Sequence, residues 1–156
     1  KADVNATNTK GESVVMLAAE GAKADAVKQL LASKANVHVT DAKGYTTMMM
    51  AAKSGCMEVV SQLLKARVDL NIATPDGETA LFFAEDTGNQ QMIKALLQAK
   101  ADPNTLHAGL TPLMRAAMQT DQQSQVPTSK VLLNAKADPN VANEQGETVL
   151  MVAAGR

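Results

Sequence analysis

Apolar residues recur along the chain at helical spacing, in short runs that come in pairs. Val14, Val15, Leu17 and Ala18 form one run, and Val27, Leu30 and Leu31 form the next. The i, i+3, i+4 pattern predicts helices over about 13–20 and 25–33, parted by Gly21-Ala22. A second pair follows: Met48 to Ala52, then after Gly55 the residues Val59, Val60, Leu63 and Leu64. A third has Ala80 to Ala84, then after Gly88 the residues Met92, Ile93, Leu96 and Leu97. Isolated helices shorter than about 12 residues are marginal in water. Each must therefore pack on its partner and on the next pair.

The pairs keep a fixed period. Gly11-Glu12-Ser13, Gly44-Tyr45-Thr46, Gly77-Glu78-Thr79, Gly109-Leu110-Thr111 and Gly146-Glu147-Thr148 lie 33, 33, 32 and 37 residues apart. A period near 33 is the signature of a stacked-repeat protein. The Ser or Thr caps the first helix, and Pro112 behind Thr111 loses no hydrogen bond at the first helical position. Alanines recur late in each first helix, as Ala18-Ala19, Ala51-Ala52, Ala84, Ala116-Ala117 and Ala153-Ala154. Such a row lets neighbouring helices approach closely. The Leu-Leu pairs of the second helices supply most of the apolar area.

The pattern G-x-T-P-L-x-x-A-A, a Gly, V-V-x-x-L-L, then A-D-x-N resembles the ankyrin repeat along essentially the whole chain. The resemblance implies an all-α solenoid of stacked helix-turn-helix units with β-hairpin-like finger loops. These fingers would run over about 34–44, 67–77, 100–109 and 136–146. One domain over 1–156 is expected, with units about 5–37, 38–70, 71–103, 104–139 and a partial 140–156. The outer units look incomplete, so a segment of a longer array is expected. The A-K-A-D-P-N and T-V-L-M-V-A-A stretches resemble bacterial arrays in style.

Three departures from the family pattern matter. Where the family usually has Gly after the second helix stand Lys34, Arg67, Lys100 and Lys136. These are expected to keep the left-handed backbone, at about 1–2 kcal/mol each. The dipole at the helix C-terminus would return about 0.3–1 kcal/mol to a basic side chain. Second, the His of T-P-L-H is replaced by Met16, Met49, Phe82, Met114 and Met151. This moves a polar layer towards packing, with looser fingers. Third, the fourth unit carries four extra residues between its helices, within 118–129. Val126-Pro127-Thr128 is expected to open its second helix. The Gln-rich run before it would be a solvent loop, either a tolerated insertion or a partner contact.

Composition narrows the function. Only 2 % of residues are aromatic and Trp is absent, so Ala, Leu, Val and Met must fill the core. A net charge of −1 argues against a general nucleic-acid or anionic-membrane binder. No apolar run approaches a membrane span of roughly 18 residues. The single cysteine, Cys56, excludes an internal disulfide framework and fits an intracellular, cytoplasmic setting. It reads as a small half-buried residue or as a thiol activated by a helix N-terminus. His38 and His107 fall in different fingers, with no metal-ligand spacing to Cys56. Glu85-Asp86 are neighbours that do not face each other on a helix, and so read as a solvated or partner-facing edge. Met48 to Met50 read as core, or as a soft contact surface. No catalytic, cofactor or metal site is indicated, and no enzyme activity is expected.

A protein-binding module is the leading expectation, and a monomer its expected state. A solenoid offers a long concave surface from its fingers and the near side of its first helices. Contact positions that the resemblance implies are Lys43, Tyr45, Asp76, Glu78, His107 and Leu110 on the fingers, with Lys10, Glu12, Gln145 and Glu147 at the ends. On the helices they are Lys53, Glu85, Asp86 and Met118, flanked by Glu20 and Gln119. Single exposed charges contribute little, whereas aromatic and apolar anchors dominate binding energy. A partner centred on units two to four is expected, with Tyr45 either its anchor or packed on the neighbouring finger. The alternatives are a spacer in a longer protein, or a targeting module attached to an enzyme or effector domain elsewhere.

Overall fold

The computed structural model describes residues 3–118 and 122–155. Its helices are α1 (Val14–Glu20), α2 (Ala24–Ala32), α3 (Thr47–Lys53), α4 (Met57–Lys65) and α5 (Ala80–Asp86). They continue with α6 (Gln90–Gln98), α7 (Pro112–Met118), α8 (Gln122–Asn134) and α9 (Val149–Ala154). Odd-numbered helices pack side by side in one layer, and α2, α4, α6 and α8 pack in a second. Among the described residues, extended pairing is confined to isolated antiparallel bridges at Thr7–Ser13, Thr40–Thr46 and His107–Leu110. This is the all-α solenoid with hairpin-like fingers that the resemblance implied.

Four of the first helices are started by the side chain before them, whereas Thr148 makes no side-chain cap to α9. The side chains of Ser13, Thr46, Thr79 and Thr111 accept the N–H groups of Met16, Met49, Phe82 and Met114. The methionines that stand in for His do more than pack. Met16 and Met49 sulfurs accept the backbone N–H of Ser13 and Thr46 at 3.5 and 3.4 Å, so sulfur retains part of the lost polar layer. Met16, Met49 and Met114 are also fully buried. Met49 and Met114 share one core cluster with Val60, Leu63, Met92, Ile93, Leu96 and Leu132. Each such side chain contributes about 1.5–3 kcal/mol on burial.

The ends of the second helices follow the expected strain. Lys34, Arg67, Lys100 and Lys136 have φ of +59°, +55°, +74° and +66°. The hydrogen bonds explain why. Lys34 N–H donates to Leu31 O, and Ala35 N–H reaches back to Leu30 O; the same two bonds close α6 and α8. This Schellman closure needs a left-handed residue just past the helix end. Ala22 (+54°) and Ala108 (+49°) adopt the same conformation, which the residue types alone did not signal.

One expected boundary is corrected. The second helix of the fourth unit begins at Gln122, not at 126–128, and Gln122–Gln125 are helical rather than loop. Residues 119–121 of the expected loop lie outside the described residues. At 13 residues, α8 exceeds the 9 of α6 by four, close to one helical turn of 3.6. The insertion therefore lengthens the helix by a turn and keeps Leu132 on the face that Leu96 occupies. Pro127 becomes the sixth helical residue and leaves the Gln123 carbonyl without its usual donor.

Candidate protein-binding surface

The fingers are built by short polar side chains that fold back on their own backbone. Asp41 Oδ1 accepts the N–H groups of Lys43 (2.9 Å) and Tyr45 (2.8 Å), while Asp41 N–H donates to Tyr45 O. Asn8 and Asn143 do the same in the first and fifth units. Lys43 is thereby held exposed at a tip, and Tyr45 at the finger base. The fourth finger is one residue shorter. His107 and Leu110 exchange both backbone bonds around Ala108-Gly109, whose φ values are +49° and +75°. Two consecutive positive φ angles make the tight hairpin turn whose twist suits the flanking strands, which accounts for the spacing of 32.

Neighbouring fingers are joined by a ladder of asparagines. Asn5 Oδ1 accepts Asn36 N–H, Asn71 Oδ1 accepts Asp102 N–H, and Asn104 Oδ1 accepts Asp138 N–H, each at 2.8 Å. His38 stands at this position in the second unit and offers no such oxygen, so that rung is missing. Gly77 marks the tightest approach. With φ of +84°, its place for a Cβ lies 2.3 Å from Leu106 O of the next finger.

All the chain's Tyr and Phe residues gather between the second and fourth units. Tyr45 lies 5.9 Å from Phe83 in tilted contact, and Phe83 meets Phe82 edge-on at 5.1 Å. Phe82 in turn lies 4.1 Å from the His107 ring and 4.1 Å beneath the Arg115 guanidinium. Tyr45 Oη donates to Glu78 Oε2 at 2.7 Å, and Thr74 Oγ1 donates to the same oxygen at 3.3 Å. The Glu78 bond, then burial, then surrounding acids push the Tyr45 hydroxyl up to about 12. His107 Nδ1 meets the Asp76 carbonyl at 2.9 Å.

Glu85 is a correction. Expected on a solvated or partner-facing edge, it is buried, with 6 % of its surface exposed. It occupies the row filled elsewhere by Ala19, Ala52 and Ala117. Arg115 Nε approaches it at 3.7 Å, too far for a hydrogen bond, and neither carboxylate oxygen accepts one among the described residues. Burial raises the Glu85 carboxyl to about 7, against the opposing pull of Arg115. The first helices pack closely as α1–α3, α3–α5 and α7–α9, but α5 and α7 lie further apart. Glu85, Phe82 and Arg115 are the bulk between them. They line a void of about 10 Å³ roofed by His107 and Leu110.

Of the remaining sequence-derived positions, Lys53, Asp76 and Asp86 are exposed, and Glu78, His107, Leu110 and Met118 are half-buried. Phe82, Phe83 and Arg115 belong to the cluster and were not among the expected contacts. The signal existed: Arg115 falls in register with Leu17, Met50 and Phe83, where only apolar residues otherwise occur. Among the described residues no group of His, Cys, Asp or Glu is placed to hold a metal ion.

A family model for ankyrin repeats (3 copies) matches residues 15–107 and again 62–143. The chain belongs to the ankyrin-repeat family. No curated protein matches it. Ankyrin repeats are generally protein–protein interaction modules without catalytic activity of their own. No helix among the described residues is long and apolar enough to cross a membrane.

Proposed function

We propose that this ankyrin-repeat array binds a partner protein on its finger side, centred on the second to fourth units. The carrying observation is the continuous cluster Tyr45–Phe83–Phe82–His107–Arg115 in a chain otherwise filled by Ala, Leu and Met. Lys43, Lys53, Asp76, Glu78, Asp86, His107, Leu110 and Met118 would form the contact rim around it. Tyr45 combines both roles left open by the sequence. Its hydroxyl is tied to Glu78 and its ring packs on Phe83, so it enters an interface already rigid and loses little side-chain entropy. Glu85 acts from beneath, by spacing α5 and α7. The organisation into the five units, the monomeric state and an intracellular setting belong to the same reading.

The test begins with the chain as bait, identification of a stoichiometric partner, and isothermal titration of that pair. Tyr45→Ala is expected to weaken binding by about 2 kcal/mol or more, roughly thirtyfold, with Leu110→Ala a smaller loss. An unchanged affinity for both variants would remove the second-to-fourth-unit surface. No saturable partner would instead favour the spacer, and a partner bound only with a neighbouring domain the targeting module.

A further inference from the structure

The whole-chain charge of −1 hides a segregation. From Gln90 to Lys100, and again from Gln122 to Lys136, there is no acidic residue, while Lys94, Lys100, Lys130 and Lys136 fall within these two stretches. They are α6, α8 and the residues that close them. Between these helices, in the layer away from the aromatic cluster, lies a cleft of about 610 Å³. Lys94, Lys100 and Lys136 are exposed around it, and Leu97, Ala101, Pro103, Val131 and Ala135 give it an apolar lining. Among the described residues its one acid is Asp102, whose Oδ1 accepts Asn104 N–H and whose Oδ2 accepts the Thr105 hydroxyl. The ion pair present among the described residues is Glu85–Arg115, so none of the three lysines is neutralised by a neighbour.

The equivalent cleft between α2 and α4 shows what is special here. It is nearly as large, about 580 Å³, but its lining includes Glu58 beside Lys28 and Lys65. Gln62 Nε2 also crosses it to donate to the Ala24 carbonyl at 3.2 Å. In register, the fourth unit replaces Gln62 with Val131. The bridging amide is thus exchanged for an apolar surface, and the mixed charge for a positive rim. Among the described residues, Gln90 Nε2 bridges α6 and α8 by donating to Thr128 Oγ1, outside the residues that line the cleft.

We propose that the α6–α8 cleft is a second binding site, which takes an acidic segment of another protein carrying an apolar side chain. Carboxylates would meet the three lysines, and an aliphatic group would cover Leu97 and Val131. A peptide fits this arrangement better than other anions do. A nucleic-acid backbone would engage the lysines and leave the apolar floor wet, and a bilayer surface is too flat to enter a cleft between two helices. The site lies on the opposite layer from the finger surface and does not depend on it.

The test uses fluorescence polarisation of the folded chain with a labelled peptide repeating Glu-Glu-Leu. Saturable binding in the micromolar range is expected, weakened roughly tenfold by Lys94→Glu with Lys136→Glu. Because both lysines are exposed, circular dichroism should show that variant folded. Replacing the peptide's Leu by Ser should weaken binding roughly fivefold, and replacing its Glu by Lys should abolish it. Lys28→Glu with Lys65→Glu in the other cleft, and Tyr45→Ala, should leave it unchanged. The proposal fails if no saturation occurs by about 1 mM. It fails equally if the Lys94/Lys136 variant binds as well as the parent, or if the Lys28/Lys65 variant loses as much. Tighter binding of duplex DNA or phosphatidylserine vesicles at the same lysines would also overturn it.

Discussion

Replacing Glu85 by Gln should make the protein more stable, by a margin that grows as pH rises from about 5 to 7. The carboxyl is 94 % shielded by residue surface area, stands where other units have Ala, and has one cation at 3.7 Å. Burial, partly opposed by Arg115, raises it from 4.5 to about 7. The folded form therefore holds this proton more tightly than the unfolded form does. Below about pH 4.5 the group is protonated in both states and costs nothing. As pH rises from about 5 to 7 the unfolded chain ionises first, and folding stability falls; above about 7 the loss is complete. A gap of about 2.5 at ~1.36 kcal/mol each sets the loss at about 3 kcal/mol, an upper value because local relaxation screens buried charge.

Glutamine has nearly the shape of the protonated acid and cannot ionise. Urea unfolding followed by far-ultraviolet circular dichroism should give stabilities within about 1 kcal/mol for the two proteins at pH 5. At pH 8 the Glu85→Gln variant should be ahead by about 1–3 kcal/mol. The exposed carboxylates titrate alike in both proteins and cancel in the difference. Parallel stability curves from pH 5 to 8 would refute the reasoning, since they would mean that Glu85 ionises in the folded chain as it does in water.

Three further outcomes follow from the geometry. Changing Lys34, Arg67, Lys100 and Lys136 together to Gly relieves about 1–2 kcal/mol of left-handed strain per site, less about 0.5–1 for the freer unfolded chain and about 0.3 for the screened dipole term. The net is about 0.5 kcal/mol each, and a lower urea midpoint for the quadruple variant would contradict it. His38→Asn should supply the missing rung to Asp69 N–H and add about 0.5 kcal/mol, read as slower hydrogen exchange at that amide; unchanged exchange would count against the ladder. Tyr45 is the sole tyrosine, so phenolate absorbance reports it alone. Its titration should be centred near 12 and fall towards 10 in Glu78→Gln, whereas a midpoint near 10 in the folded parent protein would sever the proposed bond.

The repeat made most of the fold legible. A helix that cannot stand alone must bury the same face in every unit, so Met16, Met49 and Met114, or Leu63, Leu96 and Leu132, announce their burial by register. The left-handed residues were legible for the same reason, because one closure recurs at every second helix. Glu85 was not, since an acid beside another acid on a short helix has the pattern of a solvated face. Only its alignment with Ala19 and Ala52 reveals the conflict, and only the wider α5–α7 separation resolves it. The start of α8 misled through Pro127, whose ordinary place is a first turn. An insertion of one helical turn costs the apolar register nothing and overrode that preference.

The departures from uniformity are answered across junctions rather than within units. Tyr45 in the second unit is met by Glu78 and Phe83 in the third. Phe82 and Glu85 in the third are met by His107 and Arg115 in the fourth. In a stacked array each unit touches only its neighbours, so a large or charged residue in the tight first-helix layer must be accommodated by the next copy or not at all. In the second-helix layer too, where Gln62 gives way to Val131, Gln90 of α6 stands in register with Ala24 and supplies an amide bridge to Thr128 of α8. Specialisation is therefore a property of paired units. Transplanting the third unit alone into another position of the array would strand Glu85 without its arginine and Phe82 without its cover, and should cost more than transplanting the third and fourth together.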